Sequence, residues 1–84
     1  VSAYPNPSSN QVRFAFNLAI PSDVALQIMD INGRIIYDHN YGTYSSGLQH
    51  IAFDINNYGG LSKGTYIYYI KAGEKRNFGK IIIQ

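Results

Sequence analysis

The side chains that could carry out acid–base or nucleophilic chemistry are few and scattered. His39 and His50 are the only two histidines, and imidazole is the side chain whose ordinary pKa lies nearest neutrality. The chain contains no cysteine, which excludes a thiol nucleophile, a disulfide framework and a thiolate zinc site together. No serine lies in a nucleophile-elbow pattern. The acids are dispersed along the chain: Asp23, Asp30, Asp38, Asp54 and Glu74. These residues predict a domain with no catalytic site.

Two acidic segments have some of the residues of a metal site. The segment Asp30-Ile31-Asn32-Gly33 resembles the opening of a calcium loop, but Tyr41 stands where the acid at the twelfth position is required. Turn formation explains that segment better. Asp54, Asn56 and Asn57 could offer oxygen ligands to a calcium ion, which is the less favoured interpretation. We therefore predict neither a bound metal nor a cofactor.

Three of the eight tyrosines lie in segments predicted to be loops, namely Tyr41, Tyr44 and Tyr58. Exposed rings in such positions could stack on sugar faces. One possible function is therefore that of a carbohydrate-binding module of a secreted hydrolase. The rings could equally cap the ends of the core and leave their hydroxyls in water. Tryptophan is absent, and a passive spacer module is a further alternative.

Length and composition define the class of protein. With 84 residues, 45% of them hydrophobic and 14% charged, the chain is predicted to form one folded domain. The net charge is +2, and Lys71, Lys75, Arg76 and Lys80 provide four of the seven basic residues within the last 14 positions. They could bind an anionic partner, although lysines that protect an edge strand explain them more simply. This mild basicity gives no indication of nucleic-acid binding.

The dominant periodicity is that of β-strands. Residues 12–18 and 24–28 alternate apolar and polar side chains, and an Asn32-Gly33 pair, predicted as a type I′ turn, closes a hairpin with residues 35–37. Residues 38–47 are polar and glycine-rich, so they predict a loop or an irregular edge strand. The remaining strands are predicted at 48–55, 65–71 and 77–84. Apolar residues on both faces of the segment 65–71 predict a central strand covered on both sides.

These strands predict an all-β fold, an immunoglobulin-like antiparallel β-sandwich of about seven short strands. Tyr66, just after Gly64 and Thr65, is placed for its hydroxyl to bond back to the preceding turn, as in a tyrosine corner. The predicted core consists of alternating apolar residues: Val12, Phe14, Phe16, Leu26, Ile28, Ile51, Phe53, Tyr66, Tyr68 and Ile81.

Four motifs follow one another in a recognisable order. They are Tyr4-Pro5-Asn6-Pro7, Asp30-Ile31-Asn32-Gly33-Arg34, Leu61-Ser62-Lys63-Gly64-Thr65-Tyr66 and Gly79-Lys80-Ile81-Ile82-Ile83-Gln84. Each has a structural interpretation by itself, because proline and glycine are common in turns. In this order and spacing, the chain resembles the type A C-terminal sorting domain of the type IX secretion system over nearly its whole length.

The resemblance implies a non-enzymatic sorting signal, residues 1–84, attached to an N-terminal cargo domain of a larger secreted protein. Its implied partners are the type IX outer-membrane translocon and a sortase-like peptidase, with passage through the periplasm to the cell surface or medium. The implied signal residues are Pro5, Asn6, Pro7, Gly33, Arg34, Gly64, Tyr66, Gly79, Lys80, Ile81, Ile82, Ile83 and Gln84. No run of about 18 apolar residues occurs, so no transmembrane segment is predicted, and we expect any export leader to lie upstream.

Overall fold

The computed structural model describes residues 2–4, 11–55 and 61–84. Six strands of 8 to 10 residues and one strand of three residues alternate with short connections. The strands are β1 (Ser2–Tyr4), β2 (Gln11–Leu18), β3 (Ser22–Met29), β4 (Ile35–Tyr44), β5 (Gly47–Asp54), β6 (Gly64–Ala72) and β7 (Lys75–Ile83).

The strands form two sheets, one of three strands in the order β1-β2-β5 and one of four strands in the order β4-β3-β6-β7. Every pairing is antiparallel. The inner faces of the two sheets enclose one apolar core, as alternating strands of a sandwich require. The predicted all-β, immunoglobulin-like sandwich is therefore confirmed.

The core follows the predicted alternation. All ten residues predicted to lie in it are buried, and β2 alone contributes Val12, Phe14 and Phe16. The sequence prediction omitted six further members of the same cluster: Leu18, Val24, Ile55, Ile70, Ala72 and Ile83.

Aromatic contacts connect the two sheets across this core. The Phe14 ring on β2 meets the Tyr68 ring on β6 edge-to-face, with ring centroids 4.9 Å apart. Phe53 on β5 packs against Tyr37 on β4 at 4.8 Å. Because each contact has one partner in each sheet, neither sheet can keep its inner packing without the other.

The turn between β3 and β4 differs from the predicted type I′ turn. A type I′ turn requires positive φ at both central residues, but the described residues with positive φ are all glycines, so Asn32 has negative φ. The Gly33 N–H instead donates to the Asp30 carbonyl oxygen at 3.0 Å, which places Ile31 and Asn32 at the centre of the turn. Gly33 follows with φ of 85°. This arrangement is typical of a three-residue hairpin loop that ends in a left-handed glycine.

Residues 38–47 belong largely to a strand rather than to a loop. β4 continues to Tyr44 as an edge strand of the four-stranded sheet. Its pairing with β3 shifts register twice, between Val24 and Ala25 and between Ile28 and Met29. Of the two predicted forms, the irregular edge strand is correct. The composition is polar because an edge strand has many side chains in water.

The prediction that β6 is covered on both sides was wrong for one face. β6 is a central strand between β3 and β7, and its inward residues Tyr66, Tyr68 and Ile70 are buried. The outward residues Ile67 and Tyr69 are only partly buried, and this outer face is not packed against the three-stranded sheet. In the described ranges 2–4, 11–55 and 61–84 the two sheets are the only layers, so apolar residues on both faces of β6 do not reflect a third layer there.

Candidate recognition surface

The two histidines are not arranged as parts of one catalytic group. His39 is exposed on β4, where its ring lies 6.2 Å from the Tyr37 ring and 4.6 Å from the Tyr41 ring between centroids. His50 is exposed on β5, in the other sheet. Within residues 11–55 and 61–84, no three His, Asp or Glu side chains are grouped so that they could hold a metal ion.

Three of the four motif segments meet at one end of the four-stranded sheet. Met29, the last residue of β3, lies opposite Ile67 of β6, and Gly64 at the start of β6 lies opposite Ile83 at the end of β7. The turn at residues 30–34 therefore extends from the same end of the sheet as the start of β6 and the end of β7. We call this region the motif end. It comprises residues 30–34, 61–66 and 79–84.

Two motif glycines are explained by backbone conformation. Gly33 has φ of 85° and Gly64 has φ of 149°, and both values lie in a region that side chains with a Cβ rarely adopt. A Cβ added at either position would meet no atom within 4 Å. Strain in the backbone, rather than a lack of space, is what favours glycine at both positions.

Gly79 has a different structural role. It lies directly opposite Tyr68 in the β6–β7 pairing, and a Cβ added there would overlap the Tyr68 ring. That ring covers the glycine and reaches Phe14 in the opposite sheet. Gly79 is therefore needed so that Tyr68 can lie over β7 and fill the core, as in the known pairing of aromatic side chains with strand glycines.

The motif residues Tyr66, Ile81 and Ile83 hold the fold together. The Tyr66 hydroxyl donates to the Ser62 carbonyl oxygen at 2.7 Å, which confirms the predicted bond back to the preceding turn. Ile81 and Ile83 are 1% and 4% exposed and belong to the core cluster. Folding alone is enough to explain these three side chains.

The remaining implied signal residues within the described part are exposed: Arg34, Lys80, Ile82 and Gln84. The Arg34 side chain is 80% exposed, and its Nε lies 3.4 Å from Asp30 Oδ2. Asp30 Oδ1 also accepts backbone hydrogen bonds from Asn32 and Arg34, each 2.9 Å long. Because an exposed ion pair contributes little to stability, the fold does not require the Arg34 guanidinium. Its exposure leaves it accessible to a partner.

Two of the tyrosines considered for sugar contact are not on loops. Tyr41 and Tyr44 lie on β4, are partly buried and pack against the core. The Tyr41 hydroxyl lies 2.9 Å from the Tyr37 hydroxyl, and the Tyr44 ring lies 6.3 Å from Phe16. Their prediction as exposed loop rings was wrong, because the alternation of an edge strand was hidden by two register shifts. Tyr58, like Pro5, Asn6 and Pro7, lies outside the described residues.

The chain is thus an immunoglobulin-like sandwich with exposed motif residues at one end of its four-stranded sheet. The family described as secretion system C-terminal sorting domain matches residues 2–84, and the chain belongs to this family. Domains of the family are C-terminal sorting signals for the type IX secretion system and are not catalytic. The resemblance seen in the sequence and the function that it implied are thus confirmed.

The family assignment also gives a general destination and set of partners. A type IX signal implies export to the cell surface or the medium, and it implies type IX secretion machinery and an upstream cargo domain. In the part of the chain that the structure describes, no helix has the length and apolar character needed to cross a membrane. No curated protein sequence matches the chain.

Proposed function

We propose that residues 1–84 form a single sorting domain that carries an N-terminal cargo domain from the periplasm through the outer-membrane translocon, where a sortase-like peptidase then acts on the junction. The family assignment supports this proposal. The scattered histidines and acids support the further proposal that the domain itself catalyses no reaction. In this proposal, the domain's part in export is to be recognised by the translocon.

The division among the motif residues carries the proposal. Glycines and buried side chains of the motifs build the frame, whereas Arg34, Lys80, Ile82 and Gln84 are exposed on its surface. These four residues are the part of the motifs that we propose the translocon contacts. The motifs would then encode both a fold and a contact surface.

The motif end is compact enough to be contacted as one surface. Ile35, next to Arg34, lies opposite Met29, Met29 lies opposite Ile67, and Ile67 lies opposite Lys80. Three strand spacings separate Ile35 from Lys80, which is about 14 Å. A patch of this width is smaller than a typical protein interface, so one partner could contact all of it.

Export of a reporter tests this proposal. The domain is fused behind a periplasmic reporter in a host that has a type IX system, and the reporter outside the cells is measured. The test variant combines three changes at the motif end: Arg34→Ala, Lys80→Ala and Ile82→Ser. The matched control makes equivalent changes at exposed positions elsewhere: Arg13→Ala, Lys75→Ala and Leu48→Ser.

We expect the test variant to lower export at least tenfold and the control to leave it unchanged, with both variants still folded. Unreduced export of a folded test variant would refute recognition through these side chains. Deletion of residues 80–84 should also stop export, but this deletion removes Ile81 and Ile83 from the core. The side-chain variants are therefore the sharper test, because they separate recognition from unfolding.

A further inference from the structure

The outer face of the β6–β7 hairpin combines exposed cations with exposed apolar side chains. Four pairs of directly opposed residues point away from the core, and together they are called the hairpin face. The pairs are Lys71 with Arg76, Tyr69 with Phe78, Ile67 with Lys80, and Thr65 with Ile82.

The hairpin face exposes two large apolar side chains. Phe78 is 67% exposed and Ile82 is 44% exposed. The Phe78 ring meets the Tyr69 ring edge-to-face at 4.5 Å between centroids, and a cross-strand aromatic pair of this kind helps to hold a hairpin together. The pair nevertheless leaves most of Phe78 in water. Phe78 and Ile82 lie on the same face with Tyr69 and Ile67 between cations, and contiguous apolar side chains rimmed by polar ones mark interaction surfaces.

Repulsion between cations on this face lowers the stability of the hairpin. Lys71 and Arg76 are directly opposed, and like charges in that position repel each other across a strand pair. Neither forms an ion pair with any residue in the ranges 11–55 and 61–84. Lys80 adds a third positive charge two rows away. An anionic partner would relieve this repulsion.

The acids on the outer side of the same sheet lie on the other two strands. Asp38 on β4 accepts a hydrogen bond from Gln27 Nε2 at 3.4 Å, and Asp23 on β3 accepts one from the Thr43 hydroxyl at 2.6 Å. The charge of the sheet's outer side is therefore divided, with acids on β3–β4 and cations on β6–β7.

We propose that the hairpin face docks onto an acidic protein surface of the secretion machinery. Carboxylates of that surface would contact the Lys71–Arg76 pair and Lys80, and apolar side chains between them would cover Tyr69 and Phe78. The two cationic rows are four residues apart along the strand, which is about 13 Å. The partner therefore carries acidic groups about 13 Å apart with apolar side chains between them. This proposal rests on the proposed function and extends the contact beyond the motif end.

Charge and its distribution favour a protein partner over two other occupants. A second copy docked face to face would bring the same cations together, which like-charge repulsion disfavours. Insertion into a membrane would take Lys80 into the apolar layer together with Phe78 and Ile82, its neighbours two residues away on the same face. A protein carboxylate can pair with Lys80 in the middle of the apolar rows.

Charge reversal provides the first test. The fused reporter domain carries Lys71→Glu with Arg76→Glu, which keeps a like-charged pair at the same register and so keeps the repulsion within the hairpin similar. The matched control carries Arg13→Glu with Lys75→Glu, which changes the net charge by the same amount at exposed positions outside the hairpin face. We expect at least a tenfold loss of export for the first variant and less than a twofold change for the control.

The outcomes separate the two proposals. If the unmodified fusion is not exported, the proposed function fails and the docking proposal fails with it. If the unmodified fusion is exported and the reversed variant is exported equally well, the proposed function stands and the docking proposal alone is overturned. An equal loss in the control would show a general effect of charge and would also overturn the docking proposal.

Chemical coupling identifies the class of the partner. In exporting cells, a water-soluble carbodiimide activates a carboxylate, and the Lys71 amine displaces the activating group as its urea and forms an amide. We expect Lys71 to be coupled to Asp or Glu side chains of an outer-membrane protein, and the adduct to be absent from an exported Lys71→Arg variant. Coupling of Lys71 only to the attached reporter would overturn the proposal.

Lipid binding is checked with vesicles of defined composition. The purified fusion is mixed with phosphatidylcholine vesicles that contain or lack phosphatidylglycerol, and the bound fraction is measured by sedimentation. We expect no binding that depends on Lys71 and Arg76. Binding to the anionic vesicles that disappears in the charge-reversed variant would assign the hairpin face to the membrane instead of to a protein.

Discussion

At the scale of single residues, the motifs combine positions that build the fold with positions that face outward. Gly79 illustrates the first kind, because its missing side chain makes room for the Tyr68 ring, which in turn contacts Phe14 across the core. Arg34 illustrates the second, since its guanidinium extends into water. A motif residue therefore does not by itself mark a contact with a partner.

Replacement of Gly79 tests this structural role. We expect Gly79→Ala to destabilise the domain by about 1–3 kcal/mol, because the new methyl group overpacks against the Tyr68 ring. Urea denaturation measures the change. The same substitution in a Tyr68→Ala background should cost much less, since the obstructing ring is gone. An equal cost in both backgrounds would show that the ring is not the cause.

Phe14 tests the packing of the core. Its ring is fully buried and lies against Tyr68 of the other sheet, so Phe14→Ala is expected to cost about 3–5 kcal/mol. For a domain of this size, that is a large part of a total stability of about 5–15 kcal/mol. Denaturation should show a lower midpoint with a similar slope. The exposed control His50→Ala should change stability by no more than about 0.5 kcal/mol.

Contacts between residues that are close in the sequence were predictable. Contacts that depend on which residues of two paired strands lie opposite each other were not. The bond of Tyr66 to the turn at Ser62 was predictable, because both residues lie in one short segment. The contact between Gly79 and Tyr68 was not, since it follows from the pairing of β6 with β7. The alternation of apolar residues predicted the core but did not determine which residues lie opposite one another.

At the scale of elements, the two edges of the four-stranded sheet differ. β4 is interrupted by two shifts of register, whereas β7 pairs with β6 over nine successive positions without a shift. The irregular edge was hard to recognise in the sequence. Each bulge adds one residue to the strand, so the apolar side chains that face the core change from odd to even positions or the reverse. The regular β6–β7 hairpin was predicted well for the same reason, since its alternation is unbroken.

The turn between β3 and β4 offers a prediction about one element. We expect Gly33→Ala to cost about 1–2 kcal/mol, because alanine is strained at φ of 85° even though space for a Cβ is available. Denaturation of this variant beside Gly33→Asn is informative. Asparagine tolerates left-handed conformations better than alanine, so Gly33→Asn should lose less stability. If alanine and asparagine were equally costly, backbone strain would not be the reason for glycine.

At the scale of the whole molecule, the two sheets depend on a shared core. Aromatic contacts join them at the Phe14–Tyr68 and Tyr37–Phe53 pairs, and neither sheet has another layer to cover its apolar face in the described part of the chain. A sheet that is apolar on one face must bury that face against another element to be stable. The architecture therefore predicts that the sheets fold and unfold together.

Thermal unfolding of the isolated 84-residue chain tests this dependence. We expect one transition, with the same midpoint in far-ultraviolet circular dichroism, which reports the strands, and in the near-ultraviolet tyrosine signal, which reports the core. The heat-capacity change should be about 1.0–1.3 kcal/mol/K for a chain of this length. Phe14→Ala, a change in the three-stranded sheet, should lower both midpoints equally, although most of the core tyrosines lie in the other sheet. Two separated transitions, or a shift of only one signal, would mean that the sheets are independent and that residues 1–84 do not form a single cooperative domain.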